Sequence, residues 1–512
     1  MKKQGGGVVG KLLTAVLLIA AAAFLGLLYY TDVIPRLYMI LVAAGLLLLV
    51  VIVGILTWNY RKKVRFLFGV ILWIILLGAL LLGCLYVYRT KLTLSEVTNV
   101  NTEISQVGVY VRADDAAAGL SDTAGYTYGV LESLDQENTR AALQMVNEEL
   151  GTQIQTREYA GLGDLVDGLT KGETGAILLN AAYIDILRDM DDYLNIDTMI
   201  TQVDVKNVES DLVLASSVPE PAKEEAAQSE EKTEEEPETV NAVAVEKPSQ
   251  DHVYTVFISG IDNRGGIVAR SRSDVNIILT ANLDTKQLLL VSTPRDYFVP
   301  LSISNGVPDK LTHAGIYGIS VCMDTMEMLY DIELDYYVRM NFGGFVNIID
   351  ALGGITVVSD YDFNSANVVG YHFNKGENYL NGDQALVFAR ERYAFSEGDR
   401  QRGRNQMAVI RGVLEKLASM DLLANYSTIL ASLQGSFETN IGYEEIARIL
   451  QQELQDVSAW NVVSYSVDGT GDTQKPYSMG QKAYVMVPDM STVEHAKELM
   501  AKVRNGETIS AQ

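Results

Sequence analysis

The sequence predicts an α/β protein in three parts: three transmembrane helices, a small α/β middle domain and a larger C-terminal α/β domain. Three observations carry that expectation. Residues 12–30, 37–58 and 66–88 are apolar runs, each about long enough to cross the ~30 Å hydrocarbon core of a bilayer as a helix. Beyond them, β-branched runs alternate with helically spaced segments, the pattern of sheets covered by helices. Between residues 216 and 250 that pattern stops, and ten glutamates, three lysines and four prolines take its place.

Charge is spread unevenly along the 512 residues. Residues 1–91 hold ten Lys and Arg against the single acid Asp32, a charge of +9, so a total of −25 leaves −34 for residues 92–512. No basic face of the kind that holds nucleic acid is expected, and any anion must be bound by local arginines. Cys84 and Cys322 offer no disulfide framework, and His252, His313, His372 and His495 are scattered without a zinc pattern.

Lys2, Lys3 and Lys11 precede the first apolar run, and Arg61, Lys62, Lys63 and Arg65 separate the second from the third. The excess of positive charge on cytoplasmic loops then places the N-terminus in the cytoplasm and everything after Tyr88 outside. Residues 1–91 are read as the anchor. Gly5 to Gly10-Lys11 half-matches a phosphate-binding loop, but it lacks the Ser or Thr after lysine and runs into a membrane helix, so a flexible basic lead is the better reading.

Residues 92–215 read as the middle domain, with strands at Gln106–Val111, Gln153–Glu158 and Ala176–Leu179 and helices at Glu137–Leu150, Leu162–Leu169 and Ala182–Met190. The rhythm implies a parallel sheet and is similar, by pattern, to one lobe of a solute-binding domain. A spacer, a sensor and a protein-interaction role all stay open. Residues 216–250 are a linker, because they cannot bury enough surface to offset chain entropy and like charges keep them extended.

Residues 251–505 form the C-terminal domain, followed by a tail at 506–512. Its opening stretch, Val256–Thr280, reads as two strands joined by a polar loop, with Asp262 and Asp274 at their shared end. Two carboxylates plus phosphate oxygens are how Mg²⁺ is usually held, although Asp262-Asn263-Arg264-Gly265-Gly266 is equally ordinary turn chemistry. Arg390 and Arg392 flank Glu391, so on a strand both guanidinium groups would face one side. Five arginines and no lysine fall between residues 390 and 404, a bias that suits bidentate phosphate binding. A solvated salt-bridge face with Glu391, Glu397 and Asp399 is the competing reading. His313 is more simply a packed residue than a base. Helices are expected at Met407–Met420, near 443–455 and at Val493–Val503, with a strand at Asn461–Val467.

Gly260-Ile261-Asp262, Arg272-Ser273-Asp274, Pro294-Arg295-Asp296, Asp309-Lys310, Ala389-Arg390-Glu391-Arg392 and Asp399 through Arg402 to Gln406 resemble, in order and spacing, the LytR–CpsA–Psr (LCP) family. The likeness covers about half the chain. It implies an LCP-type α/β/α domain with a central mixed sheet and a membrane-anchored phosphotransferase of Gram-positive envelopes. The activity it implies attaches a polyprenyl-diphosphate-linked glycopolymer, such as teichoic acid or capsule, to peptidoglycan, with Mg²⁺ as cofactor. By position, Asp262 and Asp274 would ligate the metal, while Arg272, Arg295, Lys310, Arg390, Arg392, Arg402 and Gln406 would hold the substrate. Asp262 or Asp399 would take the proton, with Arg295 beside them at the reacting phosphate. One departure stands out: the family often has Arg before that glutamine, where this chain has Asn405, and Arg404 is the nearest substitute. A diphosphate hydrolase and a non-enzymatic envelope sensor or transcriptional attenuator are the rival readings.

Overall fold

The computed structural model describes residues 5–31, 36–58, 62–98, 102–211, 252–261, 270–417, 437–456 and 458–510. The linker 216–250 and Asp262 with Gly265-Gly266 lie outside the described residues.

Helices α1 (Gly5–Thr31), α2 (Arg36–Thr57) and α3 (Lys63–Thr98) contain the spans Val9–Thr31, Arg36–Thr57 and Lys63–Leu92, each long and apolar enough to cross a membrane. They touch through Leu17, Ala21, Val50, Val53 and Leu80, while Leu47, Leu48, Ile74 and Ile75 face outward. Helices apolar all round suit lipid rather than water.

The middle domain runs β1 (Thr102–Arg112), β2 (Thr127–Leu131), α4 (Gln136–Leu150), β3 (Gln155–Tyr159), α5 (Leu162–Thr170), β4 (Ala176–Asn180), α6 (Ala182–Arg188), α7 (Ile196–Met199) and β5 (Ile200–Asp211). Its sheet has the order β3-β2-β4-β1-β5 and is mixed, not parallel as the rhythm implied. Strand β2 is parallel to β3 and β4, but β1 is antiparallel to both β4 and β5. The discrepancy arises at β5, whose polar sequence ITQVDVKNVESD gives little apolar signal although it pairs along the whole of β1.

In the C-terminal domain, β6 (Val253–Ile261), β7 (Ser273–Asn282) and β8 (Gln287–Ser292) lead to a hairpin of β9 (Phe298–Pro300) and β10 (Pro308–Lys310). Then come α8 (Ala314–Tyr317), α9 (Ile319–Tyr330), β11 (Tyr336–Asn341), α10 (Phe342–Ala351) and the small strands β12 (Ile355–Ser359), β13 (Phe363–Asn364), β14 (His372–Phe373) and β15 (Gly376–Leu380). Helices α11 (Gly382–Arg390) and α12 (Asp399–Leu417) follow, then β16 (Phe437–Thr439), α13 (Tyr443–Gln455), β17 (Asn461–Ser466), β18 (Gly469–Gln474), β19 (Ala483–Pro488) and α14 (Met490–Arg504).

The central sheet is mixed, in the order β16-β11-β6-β7-β8-β17. Strands β6, β8, β11 and β17 run one way, β7 and β16 the other. On one face Phe257, Ile278, Leu289 and Val291 pack against Met326 and Tyr330 of α9 and Val493 and Met500 of α14. On the other, Ile277, Leu288 and Leu290 meet Met407 of α12. Covered on both faces, β8 reads as an unbroken apolar run. The segment read as a tail is fastened to this sheet: Ile509 is buried in the core, and its amide donates to Gln287 Oε1 at 2.7 Å.

The middle domain is not a detached bead. Ile316 and Met479 of the C-terminal domain share one apolar cluster with Leu165, Tyr183, Ile186 and Tyr193. Beside it, fully buried Arg339 of β11 donates through Nη1 to Glu103 Oε1 of β1 at 2.8 Å and pairs through Nε with Glu438 of β16. Burial pushes the Glu438 carboxyl up to about 6 even with Arg339 beside it. Breaking a buried pair leaves an uncompensated charge, so Arg339→Met, which strands Glu438 and leaves Glu103 to Arg270, should destabilise the protein by about 3–5 kcal/mol. Urea denaturation reads that loss. Adding Glu438→Leu should restore part of it.

Candidate active site

The cleft lies where β6, β8 and β17 end and β7 begins. Open α/β sheets leave a crevice at such strand ends, because the chain turns away there in opposite directions. Asp274 stands at the start of β7, Ser292 to Arg295 follow β8, Ser466 and Val467 follow β17, and Asp399, Arg402, Gly403 and Gln406 come from the first two turns of α12. Together they line a small cleft that opens to solvent. The N-terminal end of α12 lines this cleft, and the helix dipole there favours negative charge. Gly403 lets the helix come this close, since a Cβ there would meet Ser292 Oγ at 2.8 Å.

Asp274 is the hub. Its Oδ1 accepts from Arg295 Nη1 at 3.1 Å and from Thr312 Oγ1 at 3.0 Å. Burial alone would raise its carboxyl, but the cations of Arg295, Arg272 and Arg402 outweigh burial and hold it below its ordinary 3.8. Arg402 Nη2 pairs with Asp399 Oδ1 at 2.6 Å. Burial and the neighbouring Arg295 nevertheless depress the Arg402 guanidinium, outweighing Asp399, Asp274 and Asp296. The buried Nε atoms of Arg295 and Arg402 have no hydrogen-bond acceptor among the described residues.

The structure brings together Asp274, Arg295, Asp399, Arg402 and Gln406, and it places Arg272, Lys310, Arg390 and Arg392 elsewhere, while Asp262 lies outside the described residues. Lys310, at the end of β10, is buried with Nζ 3.4 Å from Asp296 Oδ1. Arg272 reaches Asp274 by its charge but donates from Nη1 to Asp189 Oδ2 of the middle domain at 2.7 Å. Arg390 and Arg392 are not on a strand: Arg390 ends α11, stacked over Phe342 at 4.4 Å, and Arg392 lies over Tyr393 at 4.5 Å. Neither lines the cleft around Asp274. The helix expected from Met407 begins at Asp399, its first two turns too polar to show an apolar stripe. Arg404 does not replace the missing arginine, because it pairs with Glu397 and donates to Gln401 Oε1. Asn405 is buried and ties α12 to α11 through Phe388 O at 3.1 Å, so the departure there concerns packing. His313 is fully buried against Asp309 and Ser478, at 2.7 and 2.8 Å from Nδ1.

Two features escaped sequence reasoning. Thr312 gave no signal. Glu391, expected on a solvated face, is fully buried. Its Oε2 accepts from Ser365 Oγ and the amides of Ala366 and Asn367 at 2.6, 2.8 and 3.2 Å, and its Oε1 from the amides of Arg392 and Ala394 at 3.0 and 3.1 Å. Burial would raise this carboxyl too, but those donors bring it below 4.5.

Among the described residues no cluster of three metal-ligating side chains occurs. What Asp274 offers a hard cation is a charged carboxylate whose two hydrogen bonds both fall on Oδ1. That donor chemistry fits Mg²⁺ as one ligand of several.

Fold and cleft together define an α/β domain with arginines gathered around a buried carboxylate, behind three helices suited to a membrane. The chain belongs to the LytR_cpsA_psr family, whose model matches residues 216–501. It is 34% identical over 207 residues to the polyisoprenyl-teichoic acid–peptidoglycan teichoic acid transferase TagU of Bacillus cereus (strain AH820), covering 40% of this chain and 66% of that one, just under two thirds. The corresponding protein of Enterococcus faecalis (strain ATCC 700802 / V583) is 35% identical over 224 residues, 43% of this chain and 72% of its own. Among solved structures, the crystal structure of B. subtilis TagV aligns over 51% of this chain and 99% of its own, with 26% identity and a TM-score of 0.42.

Glu391 allows a direct check. Its folded carboxyl lies below the ordinary value, so the stability it contributes is present above that ordinary value and is lost as pH falls through the depressed one. Glu391→Gln should lower the urea midpoint at about pH 7, and the deficit should close towards about pH 3. Glu391→Ala should cost about 2–4 kcal/mol at neutral pH, because it orphans buried amides.

Proposed function

We propose that this protein is a Mg²⁺-dependent phosphotransferase that moves a glycopolymer from a polyprenyl-diphosphate carrier to peptidoglycan outside the cell membrane. The observation that carries the reading is Asp274 paired with Arg295 in a cleft that Arg402 also lines, with the charge of Arg272 reaching it from outside. The names of the relatives, teichoic acid transferases, support the same chemistry.

In the proposed reaction a hydroxyl of the peptidoglycan sugar attacks the sugar-linked phosphorus, and polyprenyl phosphate leaves. Mg²⁺, held by Asp274 and Asp262 with phosphate oxygens and water, would neutralise charge on the diphosphate. Arg295 and Arg402 orient the phosphoryl oxygens by charge-assisted hydrogen bonds, and their burial excludes the water that would screen them. Gln406, one turn further along α12, adds a neutral donor. Asp262 or Asp399 takes the proton of the attacking hydroxyl; Asp399 lines the cleft with Arg402 against it. Arg390 and Arg392, outside this cleft, would serve the head group or glycan rather than the reacting phosphate.

Purified full-length protein, given Mg²⁺, a polyprenyl-diphosphate sugar and a peptidoglycan oligomer, should join sugar phosphate to the oligomer. Asp274→Ala should lower that rate at least about a hundredfold, and Arg295→Lys about tenfold or more. Free sugar phosphate as the main product would make the protein a hydrolase instead. Full activity in chelator would end the metal assignment.

A further inference from the structure

Arg272 does not find its anion in its own domain. Its Nη1 donates to Asp189 at 2.7 Å, and its Nε lies 3.9 Å from Asp185 Oδ2, both carboxylates belonging to the middle domain at the end of α6. Arg188, between them in sequence, fixes Asp185 at 2.6 Å and also holds Asp197 at 2.7 Å, so Asp185 is oriented before Arg272 meets it. The same short segment is fastened to the middle domain two residues earlier. The Arg270 amide donates to Ile104 O at 3.1 Å, and its guanidinium to Ser210 Oγ and Glu103 Oε2 at 3.1 and 3.3 Å. From the other side, Gly315 presses on the backbone of Ser271 and Ser273, closely enough that no Cβ fits. The next residue is Asp274. Residues 270–272, which lead into that carboxylate, are thus held by the middle domain and by α8, while Arg295 and Thr312 hold the carboxylate itself.

We propose that the middle domain is a working part of the site, with Asp189, backed by Asp185, as the positioning residue that aims Arg272 at the diphosphate held beside Asp274. The proposal rests on the diphosphate reading above. It gives the middle domain a task that a spacer lacks: without its acidic pair, a largely buried guanidinium has no fixed direction, and the anion must order it on binding.

The test uses full-length protein in detergent micelles and geranylgeranyl diphosphate as probe, with binding followed by calorimetry and transfer kinetics in parallel. Asp189→Ala should weaken probe binding about tenfold and raise KM to match, with kcat within about twofold. Asp189→Glu should recover part of the loss. In an Arg272→Ala background, Asp189→Ala should change nothing further, which a general loss of packing would not reproduce. Asp189→Asn, nearly isosteric, supplies the same comparison if the alanine variant unfolds. Probe affinity unchanged in both Asp189 variants, additive losses in the double variant, or tighter binding once Asp189 is removed would each overturn the proposal. Failure of the unaltered protein to bind the probe would instead overturn the diphosphate reading, and this inference with it.

Discussion

Arg272, Arg295 and Arg402 cannot approach one another at the edge of a dry sheet unless an anion stands among them. Asp274 is that anion, and much of the C-terminal domain is arranged to keep it there. Taking an ion out of water costs several kcal/mol, recovered only through good pairing. The pairing here is incomplete: among the described residues the buried Nε atoms of all three arginines lack hydrogen-bond acceptors, and Arg402 is depressed despite Asp399. Charges are matched but donors are left over, and that mismatch is the physical content of the site.

The fold places the charges where the mismatch persists. Strands β8 and β17 run parallel and end side by side, so both deliver backbone to the same cleft, while β7 enters against them and sets Asp274 at its first turn outward. Pro294 fixes the chain just before Arg295, and the glycine at 403 lets α12 bring its amide-rich end to the same point. None of these elements alone makes a phosphate site. Their common end does.

How much of this was legible in the sequence differs residue by residue. Asp274, Arg295, Arg402 and Gln406 could be grouped because the motif order carries the family likeness. Strands such as β8 and helices such as α14 declared themselves through apolar runs and helical spacing. The misreadings share one cause: polar residues whose partners lie far away in the chain. Glu391 sits between two arginines in sequence, yet its five donors come partly from residues 365–367. Strand β5 is polar and shows no stripe, but pairs fully with β1. Arg272 looked like a phosphate ligand only, because Asp189 is 83 residues distant. Local pattern reports local physics, and these contacts are made by tertiary structure.

The overall charge makes a further demand on this arrangement. Residues 92–512 carry −34, so on the proposed reading a diphosphate approaches against the net field of those residues. At physiological ionic strength that field decays over about 8 Å, which confines repulsion to the last steps of approach. Inside the cleft, Arg295 and Arg402 stand in a poorly solvated wall, where attraction at close range is strongest. What acidity gives up in long-range attraction, anchoring replaces: a site carried on membrane helices meets a lipid-borne substrate at high effective concentration and needs no steering field. An acidic surface then serves as a filter. On the proposed reading, soluble phosphates without a membrane anchor gain nothing from tethering and face the repulsion unaided, so the cleft's arginines would favour a lipid-linked diphosphate without any contact to its lipid.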